Sequence, residues 1–134
     1  MSWDVYVFRF VDGELAALDA GRFRQVIEPD AVGYEPGLGC VGVRAADGST
    51  ADVYADTEGP EGLMSVCFTH LQVGGATDVL VRVAETLDAV IVPAGCPVFL
   101  FREEQRRHLP PEFREEAVVL PATGAAFTEA VVRG

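Results

Sequence analysis

Between Val5 and Phe10 the side chains alternate, with Tyr6, Phe8 and Phe10 on one side of the chain and Val5, Val7 and Arg9 on the other. A period of two built from β-branched and aromatic residues predicts a strand, closed by the turn pair Asp12-Gly13. Phe23, Val26 and Ile27 then recur at i, i+3 and i+4. With Asp19 as N-cap and Pro29 as a stop, they predict a short helix ending near Glu28. Residues 30–39 are rich in Gly and Pro and read as a loop. Leu38–Arg44 and Thr50–Ala55 read as two strands joined by the hairpin signal Asp47-Gly48.

After a loop at Asp56–Gly62, the stretch from Leu63 to about Val73 reads as a longer strand. Its even positions, Met64, Val66 and Phe68, form the core face, and its odd positions, Ser65, Cys67 and Thr69, the opposite one. Gly74-Gly75 breaks it. The clearest helix follows over about Asp78–Leu87, with Thr77 as N-cap and an apolar stripe of Val79, Leu80, Val83, Ala84 and Leu87. Two short buried strands, Ala89–Val92 and Val98–Phe101, come next. Glu103–His108 reads as a helical turn, acids first and arginines last as the helix dipole prefers, and Pro110-Pro111 ends it. Ala117–Leu120 reads as a last strand and Ala125–Arg133 as a closing helix. Consecutive strands in the middle of the chain predict an α+β fold: one domain over residues 1–134, with a mainly antiparallel sheet of about five to seven strands and two or three helices on one face.

Composition narrows the chemistry. The chain has 134 residues and a formal net charge of −11, and all ten basic residues are arginine. Nucleic acid and anionic membrane surfaces are poor partners for such a chain, because no basic stripe exists to displace counterions. The absence of lysine removes Schiff-base chemistry, lysine-bound pyridoxal phosphate and the P-loop lysine. The absence of asparagine removes a Cys-His-Asn triad, and none of Ser2, Ser49 and Ser65 sits in G-x-S-x-G. Cys40, Cys67 and Cys96 are odd in number and widely spaced, which reads as free thiols in a reducing compartment. Residues 1–14 show no basic n-region or cleavage site, and Ala89–Phe101 is too short and too broken by Pro and Gly to span a bilayer. A cytoplasmic setting is expected.

Few residues suggest a site. Gly37-Leu38-Gly39-Cys40-Val41-Gly42 spells G-x-G-x-x-G, but a strand follows where dinucleotide binding needs a helix, so no cofactor is expected. Cys67 and His70 suggest C-x-x-H, yet residues three apart on a regular strand face opposite ways, so a metal site is not expected. His70 then reads as a buried, hydrogen-bonded side chain, and His108 as an exposed one at a helix end. Gly74–Thr77 leads into a helix N-terminus, where backbone N–H groups can hold an anion, but a plain N-cap is the simpler reading. The acidic run stands out most. From Ala45 to Val81 there are six acids (Asp47, Asp52, Asp56, Glu58, Glu61, Asp78) and no arginine.

The stretch Gly95-Cys96-Pro97-Val98-Phe99-Leu100, followed by Glu103-Glu104-Gln105-Arg106-Arg107-His108-Leu109-Pro110, resembles small uncharacterised proteins of high-GC actinobacteria. Chains of this general look are similar to immunity proteins of bacterial toxin systems, and that resemblance implies a small, acidic, cytoplasmic, non-enzymatic protein. Three expectations result. The first is a binding module without catalytic residues that docks an acidic surface at Asp52, Asp56, Glu58 and Glu61 onto a basic protein. The second is a small enzyme or ligand-binding domain with a pocket at His70 and Cys67. The third is a structural domain that self-associates as a homodimer through an uncovered sheet face or edge.

Overall fold

A computed structural model describes residues 4–35, 40–55 and 62–133. The alternating segment forms β1 (Val5–Val11), and Val5 and Val7 are fully buried. β1 is central: it pairs antiparallel with β6 (Val66–Thr69) on one side and β7 (Val90–Pro93) on the other. Beyond β6 lie β5 (Thr50–Ala55), β4 (Cys40–Arg44) and β3 (Ala31–Glu35). Beyond β7 lie β8 (Phe99–Leu100) and β9 (Val118–Val119), the last pairing parallel to β8. A three-residue strand, β2 (Glu14–Ala16), folds back on the end of β1. The fold is α+β as expected, but the described residues form nine strands, more than the sequence suggests. β2 is too short to show a period. β3 lies in the segment read as loop, where its glycine and acid mask the strand pattern.

Helices α1 (Ala20–Ile27), α2 (Gly75–Thr86) and α4 (Gly124–Arg133) pack on one face of the sheet. The core joins Phe23 and Ile27 of α1, Leu80 and Val83 of α2 and Phe127 of α4 to Val53, Phe68 and Ile91 of the strands. Burial of each such side chain contributes about 1.5–3 kcal/mol. Asp19 caps α1, its carboxylate accepting the Arg22 N–H at 3.0 Å.

Among the described residues, the other face is covered at one end only. Val90, Val98, Leu100, Leu109 and Ala117 form a second small core, with Phe10 and Val92 packed against it. The segment that closes it holds the 3-10 helix Glu103–His108 and the single turn α3 (Pro111–Arg114). The expectation of helices on one face therefore needs this second layer added. The 3-10 helix ends just before Pro110, as expected, and Pro111 also begins α3, since its fixed φ suits the first helical position.

α2 starts earlier than the sequence suggests, at Gly75, with Gly74 as N-cap at φ 135°, a conformation open to glycine. Thr77 is not the N-cap; its hydroxyl donates to the Gly74 carbonyl at 2.6 Å. The caps come from elsewhere in the chain. At the β4–β5 turn, the Asp47 carboxylate accepts the Gly75 N–H at 2.8 Å, and the Ser49 hydroxyl accepts the Ala76 N–H at 2.9 Å. The N-terminus that could have held an anion thus holds a carboxylate of its own chain. Asp78 of α2 in turn caps α4, accepting the Gly124 N–H at 2.9 Å.

Candidate functional site

The part of the second face that no described segment covers spans β4, β5, β6 and β1. Strand register places one row across it: Cys40 opposite Tyr54, Tyr54 opposite Cys67, Cys67 opposite Tyr6 and Tyr6 opposite Val92. Their neighbours in sequence, Val41, Val53, Phe68 and Val7, point into the main core. The period of two therefore delivers the opposite set outward. Tyr54 is 41% exposed and Tyr6 39%, while Cys67 between them and Cys40 on the far side of Tyr54 are half-buried. The next row runs Gly42, Asp52, Thr69. Along β1, Tyr6 and Phe8 stack at 5.7 Å, Phe8 and Phe10 lie 6.0 Å apart, and Phe10 reaches Phe113 at 6.5 Å. An aromatic ladder thus runs from the open part of the face to the covered part.

The electrostatics of this row are acidic. The Cys67 thiol beside it, followed by burial and the Asp4 charge, raises Tyr6 above the usual phenol value. The neighbouring Cys40 thiol is the main cause of an upward shift at Tyr54, with Asp52 contributing. Burial pushes Cys67 up, and Asp4 adds to it. All three groups stay protonated and uncharged at neutral pH, so the charge on the row comes from Asp4 and Asp52. Among the arginines of β4, β5, β6 and β1, Arg44 at the end of β4 shares the outward face by alternation, and Arg9 falls on the other parity.

His70 is not buried. Its side chain is 70% exposed, and its backbone takes φ 51°. Thr69 pairs with Asp52, and Gln72 bonds to Thr50 through both its backbone N–H and its side-chain carbonyl. Two residues of one strand, His70 and Leu71, therefore oppose Ala51 alone, which is a β-bulge. The bulge buries Leu71 and turns His70 outward, where its Nδ1 lies 3.0 Å from the Asp52 carboxylate and 3.5 Å from the Thr69 hydroxyl. The regular strand expected from Leu63 to Val73 ends at Thr69 for this reason. Cys67 and His70 share a face after all, but His70 meets Asp52 and Thr69, not Cys67. Neither of the two cavities described below includes either residue.

Of the four acids expected to form a docking surface, Asp52 lies on this face with its side chain 46% exposed. Asp56, Glu58 and Glu61 fall outside the described residues, as do 37–39 of the glycine pattern, whose last three residues open β4. Reasoning from acids alone leaves out the exposed Tyr6 and Tyr54, although the alternation in β1 and β5 carries the signal. Among the described residues no group of three or more His, Cys, Asp or Glu is placed to hold a metal ion, and no helix is long and apolar enough to cross a membrane. One cavity, about 560 Å³, is a shallow acidic groove between the starts of α2 and α4, lined by Asp47, Asp78 and Glu129. The other, about 210 Å³, lies beside the 3-10 helix. Comparison with family models, curated proteins and solved structures finds no match to this chain.

Proposed function

We propose that this protein is a non-enzymatic binding module that docks the open part of its sheet onto a basic protein, as an immunity or inhibitor protein would. One observation carries the reading. The helices cover one face of the sheet and the 102–117 segment covers one end of the other, leaving Tyr6 and Tyr54 exposed in a single row beside Asp52. Tyrosines of this kind anchor interfaces, because each supplies a large apolar ring with a polar tip at little entropic cost. The carboxylates select the sign of the partner. Asp4 and Asp52 lie on or beside the row, Asp56, Glu58 and Glu61 follow β5 in sequence, and the chain as a whole carries −11. A positively charged protein is steered toward such a surface, and a negatively charged one is repelled.

The test is capture from lysate on three baits: the native chain, Asp4→Arg/Asp52→Arg, and Tyr6→Ala/Tyr54→Ala. Affinities are then measured with the purified captured protein at low and high salt. A basic protein held by the native chain, released by salt and lost with both variants supports the reading. Retention by both variants refutes it. Sedimentation of the native chain as a dimer that Tyr54→Arg dissociates would assign the face to a second copy instead.

A further inference from the structure

On the open face, the row next to the tyrosines runs Gly33, Gly42, Asp52, Thr69. The first two positions carry no side chain. At about 4.8 Å per strand they leave a strip of bare backbone roughly 10 Å wide beside Asp52. Glycine inside a strand weakens it and often marks a place where a ligand or another chain comes close. Among the described residues, three side chains stand around the strip. Val32, at the register shift between Ala31 and Gly33, is 58% exposed, and its Cγ2 lies 3.4 Å from the point a Gly42 Cβ would occupy. Tyr54, two residues along β5 from Asp52, has the Cys40 thiol beside its hydroxyl, so its ring leans across β4 next to Gly42. Asp52 closes the strip on the β5 side, its side chain 46% exposed.

That carboxylate is half used. Its Oδ2 lies 3.0 Å from His70 Nδ1, and a carboxylate only accepts, so this nitrogen carries the proton. Among the described residues no donor lies within hydrogen-bond distance of Oδ1, and Arg44, one row further along β4, does not pair with it. A guest on the strip therefore meets an apolar wall, an aromatic ring and an open anionic acceptor. Lysine and arginine both satisfy the charge. Arginine alone is flat: its guanidinium can lie against a ring while its edge donates to a carboxylate, and it is more weakly hydrated than an ammonium. Its aliphatic stem needs room along an apolar surface, which the bare backbone next to Val32 supplies.

We propose that this strip seats an arginine side chain of the basic partner, with its stem over Gly33 and Gly42 and its guanidinium against Tyr54, donating to Asp52 Oδ1. The inference rests on the docking reading and sharpens it, from a partner selected by charge to one anchored by arginine. A charge-assisted bond to Oδ1 and contact with a ring face act together only for a planar cation.

The test titrates the full chain with hexa-arginine and, separately, with hexalysine, equal in charge, at neutral pH and physiological salt. Backbone ¹H–¹⁵N correlations of Gly33, Gly42 and Asp52 report the strip, and those of Gly13 and Gly124 report contact elsewhere. The expected result is a saturable shift of Gly33, Gly42 and Asp52 with hexa-arginine, at a dissociation constant on the order of 0.1–1 mM. Hexalysine should bind about threefold more weakly, or worse. Gly42→Val fills the strip. Its Cβ meets Val32 at an ordinary contact distance and valine suits a strand, so the fold is kept, with the urea midpoint as check. Tyr54→Leu keeps apolar bulk and removes the ring. Each variant should abolish the preference for arginine. Equal affinities for the two peptides, or a preference that survives either folded variant, overturns the inference. So does the lack of a saturable shift with either peptide, or shifts confined to Gly13 or Gly124. The docking reading fails separately, when captured proteins are retained by the Asp4→Arg/Asp52→Arg and Tyr6→Ala/Tyr54→Ala baits.

Discussion

Gly124 is where the packing of α4 on α2 is most exposed to a small change. A Cβ built there lies 2.5 Å from the Asp78 carboxylate oxygen, 2.7 Å from the Asp78 backbone nitrogen and 2.7 Å from the Thr77 hydroxyl. The carboxylate can rotate, but the other two atoms cannot. One is helix backbone, and the other belongs to a side chain that is 1% exposed and bonded to the Gly74 carbonyl. Reaching an ordinary contact of 3.4 Å requires α4 to retreat by roughly 0.7 Å. Overpacking of this kind costs about 1–3 kcal/mol. The retreat also stretches the 2.9 Å bond by which Asp78 caps α4, and losing such a cap costs about 1 kcal/mol. Against this, the stiffer unfolded chain of an alanine variant contributes about 0.4–1 kcal/mol of stability. Gly124→Ala should therefore be about 1–4 kcal/mol less stable. The assay is urea unfolding followed by far-ultraviolet circular dichroism, with unchanged m-values as the condition for comparing midpoints. Gly33→Ala is the control, because a Cβ there meets nothing within 4 Å, and it should stay within about 0.5 kcal/mol of the native chain. Asp78→Ala isolates the cap and should fall between the two. A Gly124→Ala protein as stable as the native chain, or more so, would show that the start of α4 is not pressed against α2.

Four further outcomes follow from the same structure. Asp47 is held at about 2, below its usual 3.8, mainly by the Ser49 hydroxyl and then by the backbone N–H groups of Gly75 and Ser49. A lowered folded-state value means this stabilisation is complete above about pH 4 and is lost as the pH falls toward 2. Urea midpoints of Asp47→Asn should accordingly vary less with pH across that window than those of the native chain. Phe68→Ala removes a fully buried ring and should cost about 3–5 kcal/mol in the same unfolding assay. Asp52→Asn breaks an exposed pair with His70 and should change stability by less than about 1 kcal/mol while weakening capture of a basic partner, so a large stability loss would show the pair to be structural. Cys67, raised chiefly by burial, should react with a disulfide reagent at pH 7 more slowly than free glutathione, and an equal or faster rate would contradict its placement.

Much of the architecture was legible where local chemistry and tertiary packing agree. β1, β5 and α1 lie where alternation, β-branching and the Asp19 cap put them, because each segment carries a complete pattern of its own. The elements that escaped were those whose pattern is borrowed. β3 has little apolar periodicity and is a strand because β4 offers it an open edge. β2 is three residues long and exists through its antiparallel pairing with β1. α2 begins at Gly75 because a carboxylate and a hydroxyl from a turn more than twenty residues earlier satisfy its first N–H groups.

The sequence by itself determined the charge, the exclusion of lysine chemistry, the α+β class and the alternation that sends Tyr6, Tyr54 and Cys67 to one side of the sheet. Tertiary structure decided the rest. Whether that side is core or surface depends on what packs against it, and the 102–117 segment covers one end and stops. The bulge that brings His70 to Asp52 arises from how β6 meets β5, and the hydrogen bond from the Asp12 N–H to His108 Nδ1 joins residues 96 positions apart. Side-chain periods are local properties of the backbone, whereas burial, bulges and hydrogen-bond accounts belong to pairs of segments, and those pairs exist only once the chain has folded.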